Sequence, residues 1–351
     1  MKITHVLWGL TTGGIETMVV NIINHQVEKH SVELILVNDY YDSSLVNQLS
    51  PECKLRYCHR SIGSRNPLPV AKLQWFILRF HPDIVHLHSK DLSKIILIPC
   101  LKVRTIHNTN NKCEEYPKMS QLFSISKAVQ SFTRNQGFDS VVVENGIPTE
   151  SFTLKTSYYK KGEILHIVQL GRLYTKQKGQ HLLIQAVEKL VKNYGRNSIQ
   201  VHFIGDGEDK SQLEDQIREK HLERYFVFEG IKTQEYLKQH LKDFDLLLQP
   251  SLFEGFGLTV AEALAAKLPV LVSDIEGPTE IIDHGKYGQT FQSNDIDSLC
   301  DSLLKILDYG FDLKMIEDAY QYVKDKYDVK YTAERYLQEY EKVIKSARHA
   351  G

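Results

Sequence analysis

The chain has 351 residues, 42% apolar and 25% charged, proportions of a globular protein that exclude disorder, collagen and coiled coil. At about 150 residues per domain this length predicts two domains, each large enough to bury its own core. Lys plus Arg number 43 against 44 Asp plus Glu, a formal charge of −1, which lacks the basic surplus that nucleic-acid binding demands.

From the first residue onward, short apolar runs alternate with longer amphipathic stretches. Residues 3–8 read as a strand, 14–29 as a helix and 32–37 as a strand. Further strands are expected at 54–57, 83–87, 104–107, 122–125 and 140–143, with helical periodicity at 69–80 and 126–136. A polar segment, 151–163, interrupts the pattern, which then restarts. Strands are expected at 164–170, 199–204, 225–229, 245–249 and 269–272, and helices at 180–194, 209–220, 234–241, 258–266 and 294–308. A last charged helical stretch covers 332–348. This alternation predicts two parallel sheets covered by helices on both faces, and hence two doubly wound α/β domains. Ligands in that architecture bind outside the carboxyl ends of the strands, so the cleft between the domains is where chemistry is expected. The five cysteines (53, 58, 100, 113 and 300) include no C-x-x-C pair and read as reduced thiols. The N-terminal run lacks the long apolar region of a signal peptide. Residues 95–101 are far too short to span a bilayer. The expectation is a soluble cytoplasmic protein.

The most informative segment is Gln249-Pro-Ser-Leu-Phe-Glu-Gly-Phe-Gly-Leu-Thr-Val-Ala-Glu262. A strand ends, a glycine turn follows and a helix begins. Backbone N–H groups over Gly255, Phe256, Gly257 and Leu258 then face an anion favoured by the helix dipole. Glycines 255 and 257 let oxygens approach the backbone closely. Phe256 to Glu262 rises about 9 Å, roughly a diphosphate carrying a sugar at each end. Glu254 and Glu262 are therefore candidates to hold hydroxyls on either side of it. The loop Leu170-Gly-Arg172-Leu-Tyr-Thr-Lys-Gln-Lys178 offers two cations, Arg172 and Lys178, that can clamp a diphosphate and neutralise a leaving group.

In the first domain, Trp8-Gly-Leu-Thr-Thr-Gly-Gly-Ile-Glu16 is a strand-to-helix turn without G-x-G-x-x-G spacing. A phosphate or sugar site at Gly14 and a plain tight turn both suit it. Among the 15 histidines, His86 and His88 end one strand and His107 ends another. Strand-end imidazoles can position a hydroxyl or move protons, and His107 is the candidate. No Cys/His set has zinc spacing. The pairs Asp243/Asp245 and Asp295/Asp297 read as structural, so no metal is expected. Residues 56–79 mix Arg56, Arg60, Arg65, Lys72 and Arg79 with Trp75 and Phe76. They suit either an anionic membrane surface or an ordinary core helix.

Taken in order, Gly13-Gly14-Ile-Glu16, Asn145-Gly-Ile147, Gly171-Arg172 with Lys178, Gly205-Asp-Gly207 and Glu254 to Glu262 resemble the retaining glycosyltransferases of family 4, which have the GT-B fold. The resemblance implies an acceptor-binding Rossmann-like domain over 1–155, a sugar-nucleotide domain over 156–328, and a final helix in 329–351 crossing back. It implies that Glu254 contacts the donor sugar, Glu262 the ribose, and Arg172 with Lys178 the departing diphosphate. His107 would face the donor sugar and Gly14 lie near the phosphates. Neither metal nor bound cofactor is implied. The donor would be a nucleotide sugar, UDP-linked by family frequency. The acceptor would be a glycan or lipid-linked molecule of bacterial surface polysaccharide synthesis, with contact at the inner face of an anionic plasma membrane. A dehydrogenase is disfavoured by the missing glycine fingerprint. A sugar-nucleotide epimerase and a non-catalytic partner subunit of the same fold remain alternatives.

Overall fold

The structure, a computed structural model, describes residues 1–11, 13–109 and 116–350. It divides into two compact units, Met1–Pro148 with Asp328–Gly351, and Thr149–Tyr327.

The first unit is a seven-stranded sheet in the order β3-β2-β1-β4-β5-β6-β7, every pair parallel. Its strands are β1 Lys2–Leu7, β2 Ser31–Asn38, β3 Lys54–Arg60, β4 Ile84–Leu87, β5 Lys102–Ile106, β6 Gln121–Ser124 and β7 Val141–Val142. Its longer helices are α1 Gly14–Gln26, α3 Leu68–Phe80, α5 Lys127–Asn135 and α14 Val329–Ala350, with single turns α2 Ser43–Val46 and α4 Leu92–Ile95. Side chains alternate across the sheet. Ile3 and Leu7 join the core under α1 and α14, whereas Val6 joins Leu73, Phe76 and Ile77 of α3 on the other face. The stripe Val329, Ala333, Tyr336, Tyr340 and Val343 is buried, a helical 4-3-4-3 spacing that seats α14 on the sheet. Its entry is fixed at Asn145-Gly146-Ile147: Val329 N–H donates to the Ile147 carbonyl at 2.9 Å, and a Cβ on Gly146 would lie 2.6 Å from Val329 Cα.

The second unit is a six-stranded sheet, β10-β9-β8-β11-β12-β13, again wholly parallel. Its strands are β8 Leu165–Leu170, β9 Ile199–Ile204, β10 Phe226–Gly230, β11 Leu246–Gln249, β12 Val270–Ser273 and β13 Gln289–Phe291. Its helices are α6 Thr175–Lys178, α7 Gln180–Tyr194, α8 Lys210–Glu219, α9 Gln234–His240, α10 Leu258–Ala265, α11 Pro278–Ile281, α12 Ile296–Tyr309 and α13 Leu313–Lys326. Leu183, Val187 and Leu190 of α7 pack with Leu299, Leu303 and Ile306 of α12 over β8 and β9. The described cysteines, 53, 58, 100 and 300, are free; Cys113 lies outside the described residues.

In each sheet the strand order reverses direction once, between β1 and β4 and between β8 and β11. At such a point the loops leaving the two carboxyl ends diverge and open a crevice that binds ligands.

Under α14, three buried histidines share one face of the first sheet. His86 bonds the Tyr340 hydroxyl at 2.5 Å and the Thr105 hydroxyl at 2.8 Å. Burial pushes His5 down to about 4 and His86 and His88 well below the ordinary histidine range. The unfolded chain takes up these protons near pH 6.5 and the folded one does not, so their contribution costs nothing above pH 6.5 and destabilises the fold below it. Half-buried Glu16 and buried Glu33 and Glu262 are raised and act in the opposite sense. The histidine share is therefore expected in a difference: the fall in Tm from pH 7.5 to 5 should be smaller in a His5→Gln/His86→Gln variant than in the native chain. Equal falls would contradict it.

Candidate active site

In the second unit the loop after β8 and the turn after β11 leave adjacent strands at the switch point and are knit together. Leu252 N–H donates to the Gln177 carbonyl at 2.8 Å. Gly179 has φ +66, and a Cβ there would stand 1.9 Å from the Pro250 carbonyl oxygen, so only glycine permits that approach. Residues 175–178 form the helical turn α6, where a simple loop is expected from sequence. Its start is capped by Asp209, which accepts from the Thr175 N–H at 2.7 Å and hydroxyl at 2.6 Å. Gly207 lies against the backbone of Leu173, whose carbonyl oxygen would be 2.4 Å from a Cβ there.

This bracing brings Lys178 onto Glu254. The ammonium forms an ion pair with Glu254 Oε1, with the two side chains only 18% and 10% exposed. Gln249, at the end of β11, donates to the same carboxylate oxygen at 3.0 Å. Two further glutamines hold the loop: Gln169 donates to the Lys178 carbonyl and Gln180 to the Arg172 carbonyl, each at 3.0 Å. Arg172 itself is 70% exposed and pairs with Glu208 at 2.9 Å, apart from the Lys178–Glu254 pair.

Beyond Glu254 the chain turns through Gly255 and Gly257, the latter at φ +105, and enters α10. Phe256 turns its ring inward, 4% exposed and edge-on to Tyr327 at 5.7 Å; what it presents to a ligand is backbone. Leu258, the first residue of α10, is half-buried. Glu262 is buried in the middle of α10 beside Gln234 and Lys238 of α9, and burial pushes its carboxyl up to about 7.

In the first unit Gly13 caps α1 and Gly14 is exposed at its start, past the end of β1. His107 follows β5. Its ring nitrogens are buried and have no hydrogen-bond partner among the described residues.

The profile of the family described as Glycosyl transferases group 1 matches residues 153–325, and that of Glycosyltransferase Family 4 matches residues 12–151. An uncharacterised glycosyltransferase of Methanocaldococcus jannaschii is 30% identical over 283 residues, 72% of this chain and 71% of that protein. The chain belongs to glycosyltransferase family 4. A Campylobacter jejuni relative, named as an N-acetylgalactosaminyltransferase acting on a diphospho-undecaprenol glycan, is 23% identical over 86% of this chain and 89% of its own. Among solved structures, an Anabaena protein crystallised with UDP and glucose superposes with a TM-score of 0.79 at 19% identity, covering 97% of this chain and 100% of that one. That likeness gives the glycosyltransferase its GT-B fold of two Rossmann-like domains.

Within this glycosyltransferase the expected site residues fall into two sets, one per unit. Lys178, Glu254 and the turn from Gly255 to Leu258 gather at one switch point, with Glu262 one to two helical turns further along. Gly14 and His107 follow β1 and β5 of the other sheet. The Asp pairs are structural: Asp245 binds buried Lys155 at 3.1 Å, and Asp295 caps α12 through the N–H groups of Asp297 and Ser298. The three glutamines were not singled out from sequence. For Gln249 the signal is a polar side chain closing an apolar strand, Leu246-Leu-Leu-Gln249; Gln169 lies inside β8 and Gln180 opens α7. His5, His86 and His88 bring ligand-type nitrogens within 4.8 Å of one another, but hydrogen bonds to Gln26, Tyr340 and Thr105 engage His5 and both nitrogens of His86. Helix α3 buries Leu73, Phe76, Ile77 and Phe80, yet leaves Leu68, Trp75 and Leu78 more than half exposed, with Arg79 over Trp75 at 5.2 Å. Among the described residues, no helix is long and apolar enough to cross a membrane.

Proposed function

We propose that the protein is a retaining glycosyltransferase that moves a hexose or N-acetylhexosamine from a nucleotide sugar to a glycan or lipid-linked acceptor in bacterial surface polysaccharide synthesis. The observation that carries this reading is the Lys178–Glu254 pair beside a glycine turn that opens α10 at the switch point of the second sheet. An ammonium, a carboxylate and a helix N-terminus in one place match a sugar diphosphate, whose phosphates seek the cation and dipole and whose hydroxyls seek the carboxylate.

In this reading Glu254 holds hydroxyls of the donor sugar and Glu262 those of the ribose. The bond between the anomeric carbon and the phosphate oxygen breaks, and the electron pair leaves with the diphosphate. Lys178 and Arg172 stabilise that growing charge, which is where binding energy lowers the barrier. The acceptor oxygen attacks from the face the phosphate leaves, and its proton passes to the departing phosphate oxygen. Gly14 and His107 serve phosphate and donor-sugar contacts from the first unit. Because the two cations and the helix dipole can supply the positive charge, we propose that the reaction needs no metal and no bound cofactor. UDP is the favoured nucleotide, in keeping with the Anabaena neighbour crystallised with UDP.

Calorimetric titration with UDP, GDP, ADP, CMP and NAD, with chelator present, tests the reading. One nucleoside diphosphate should bind, and Glu262→Ala should abolish its binding. Binding of NAD alone, or of nothing, would overturn it.

For the acceptor side we propose peripheral contact with an anionic membrane at the inner face of the plasma membrane, through the exposed face of α3. Exposed Trp75, Leu68 and Leu78 beside Arg65, Lys72 and Arg79 support it. Co-sedimentation with phosphatidylglycerol vesicles should fall at least several-fold in Trp75→Ala/Arg79→Ala, and no binding by the native chain would refute the contact.

A further inference from the structure

The first unit contains a hydrogen-bond relay whose last atom has no partner among the described residues. His5 and His86 are register partners across β1 and β4 and His88 follows two residues on, so all three lie on the sheet face covered by α1 and α14. Gln26 of α1 places its side-chain oxygen 2.8 Å from His5 Nε2. An amide oxygen only accepts, so the His5 proton is on Nε2 and its Nδ1 is bare. That bare nitrogen is 2.9 Å from His88 Nε2, which must therefore carry the proton of the bond. His88 Nδ1 is left as an acceptor. It is buried and without a hydrogen-bond partner among the described residues.

A buried acceptor without a donor is costly, and native structures seldom keep one that nothing uses. Its position gives the use. His88 is the first residue past β4, at the switch point between β1 and β4. Its ring lies 6.0 Å, centroid to centroid, from that of His107, whose two nitrogens are equally unpartnered. His107 as a residue is only partly buried, although both its ring nitrogens are covered. Burial keeps both rings neutral near pH 7, so each retains an acceptor nitrogen, and neutral acceptors suit a hydroxyl.

We propose that His88 Nδ1, fixed as an acceptor by the Gln26–His5–His88 relay, receives a hydrogen bond from a substrate hydroxyl at the carboxyl ends of β4 and β5. The inference rests on the glycosyltransferase reading above, in which the hydroxyl comes from the donor sugar or from the acceptor. His88 is then a binding residue, and His5 with Gln26 are positioning residues that set its tautomer.

Two measurements test it. Long-range proton–nitrogen NMR of the histidine rings should show His88 Nδ1 unprotonated at pH 7 and its resonance moving when UDP-glucose or an accepted acceptor is added. A protonated Nδ1 overturns the relay, since a flipped Gln26 amide would reverse every bond in it. The second measurement compares His88→Leu with the native chain in slow donor hydrolysis, using UDP-glucose, and in transfer to alkyl glucosides. A rise of about 10-fold or more in KM for UDP-glucose, with UDP affinity unchanged, assigns the hydroxyl to the donor. Normal hydrolysis with lost transfer assigns it to the acceptor. If UDP binds and turnover proceeds but neither the kinetics nor the resonance moves, the inference fails alone. If the native chain binds no nucleotide, the underlying reading fails with it. Should His88→Leu not fold, the resonance of the native protein still decides.

Discussion

Lys178→Met is expected to lower kcat for sugar transfer by about 10²–10³-fold, the usual loss when one preorganised stabiliser of developing charge is removed. The reason lies in what the ammonium faces. In the free protein it is held by Glu254, with the chain on either side fixed by Gln169, Gln180 and the Gly179–Pro250 approach, so its position is set before substrate arrives. Because the interaction strengthens only as the diphosphate gains charge, KM for the donor should change far less than kcat. The same substitution strands a nearly buried carboxylate, and breaking a buried pair from one side costs about 3 kcal/mol. A second variant separates the two effects. Lys178→Met/Glu254→Gln removes both charges, so it should regain most of the lost Tm while activity stays lost. If activity returned with stability, the pair would be structural and the chemistry would lie elsewhere.

Glu262 carries the other large effect, and here stability and function pull apart. Burial pushes its carboxyl from the ordinary 4.5 up to about 7. The folded protein thus holds a proton that the unfolded chain releases near pH 4.5, so this group costs stability progressively as pH rises from about 4.5 to 7. At about 1.4 kcal/mol per unit, the full cost above pH 7 is about 3 kcal/mol. Glu262→Gln, which stays neutral and can still bond the Gln234 amide, should therefore raise Tm at pH 8 and leave it nearly unchanged at pH 4.5. The same variant should bind the nucleotide at least 10-fold more weakly if the carboxylate holds the ribose. A drop in Tm at pH 8 would show the carboxylate to be satisfied in the free protein. Undiminished nucleotide affinity would remove Glu262 from the site.

Much of the fold was legible because a parallel sheet covered on both faces needs strands that are apolar throughout, and these stand out as runs such as Leu246-Leu-Leu. The elements that escaped are those with weak local signals. Strand β13 has three residues, Gln289–Phe291, and is defined only by pairing with β12. Helix α13, Leu313–Lys326, buries just Ile316, Ala319 and Val323 among polar neighbours; the helical spacing is there, but short. The turn α6 exists because Asp209, 34 residues away, caps it. The site divides the same way. Glu254, Glu262 and the glycine turn were readable since strand, turn and helix follow one another in the chain. The meeting of Lys178 with Glu254, 76 residues apart, needed β8 beside β11, just as the pairing of exposed Arg172 with Glu208, on the loop after β9, needed β8 beside β9. The Asn145-Gly146-Ile147 segment turns out to seat α14. The His5–His88 relay was hidden because its members come from separate strands, and only sheet parity places them on one face.

The switch point of the second sheet is expected to release a sugar from a nucleotide with its configuration kept. This is tested most directly by incubating the protein with UDP-glucose and following slow donor hydrolysis by proton NMR before the free sugar equilibrates. UDP should appear together with α-glucose as the first anomer, and neither product with Lys178→Met. First appearance of β-glucose would contradict retention, and conversion of UDP-glucose to an epimer without release of UDP would contradict transfer itself.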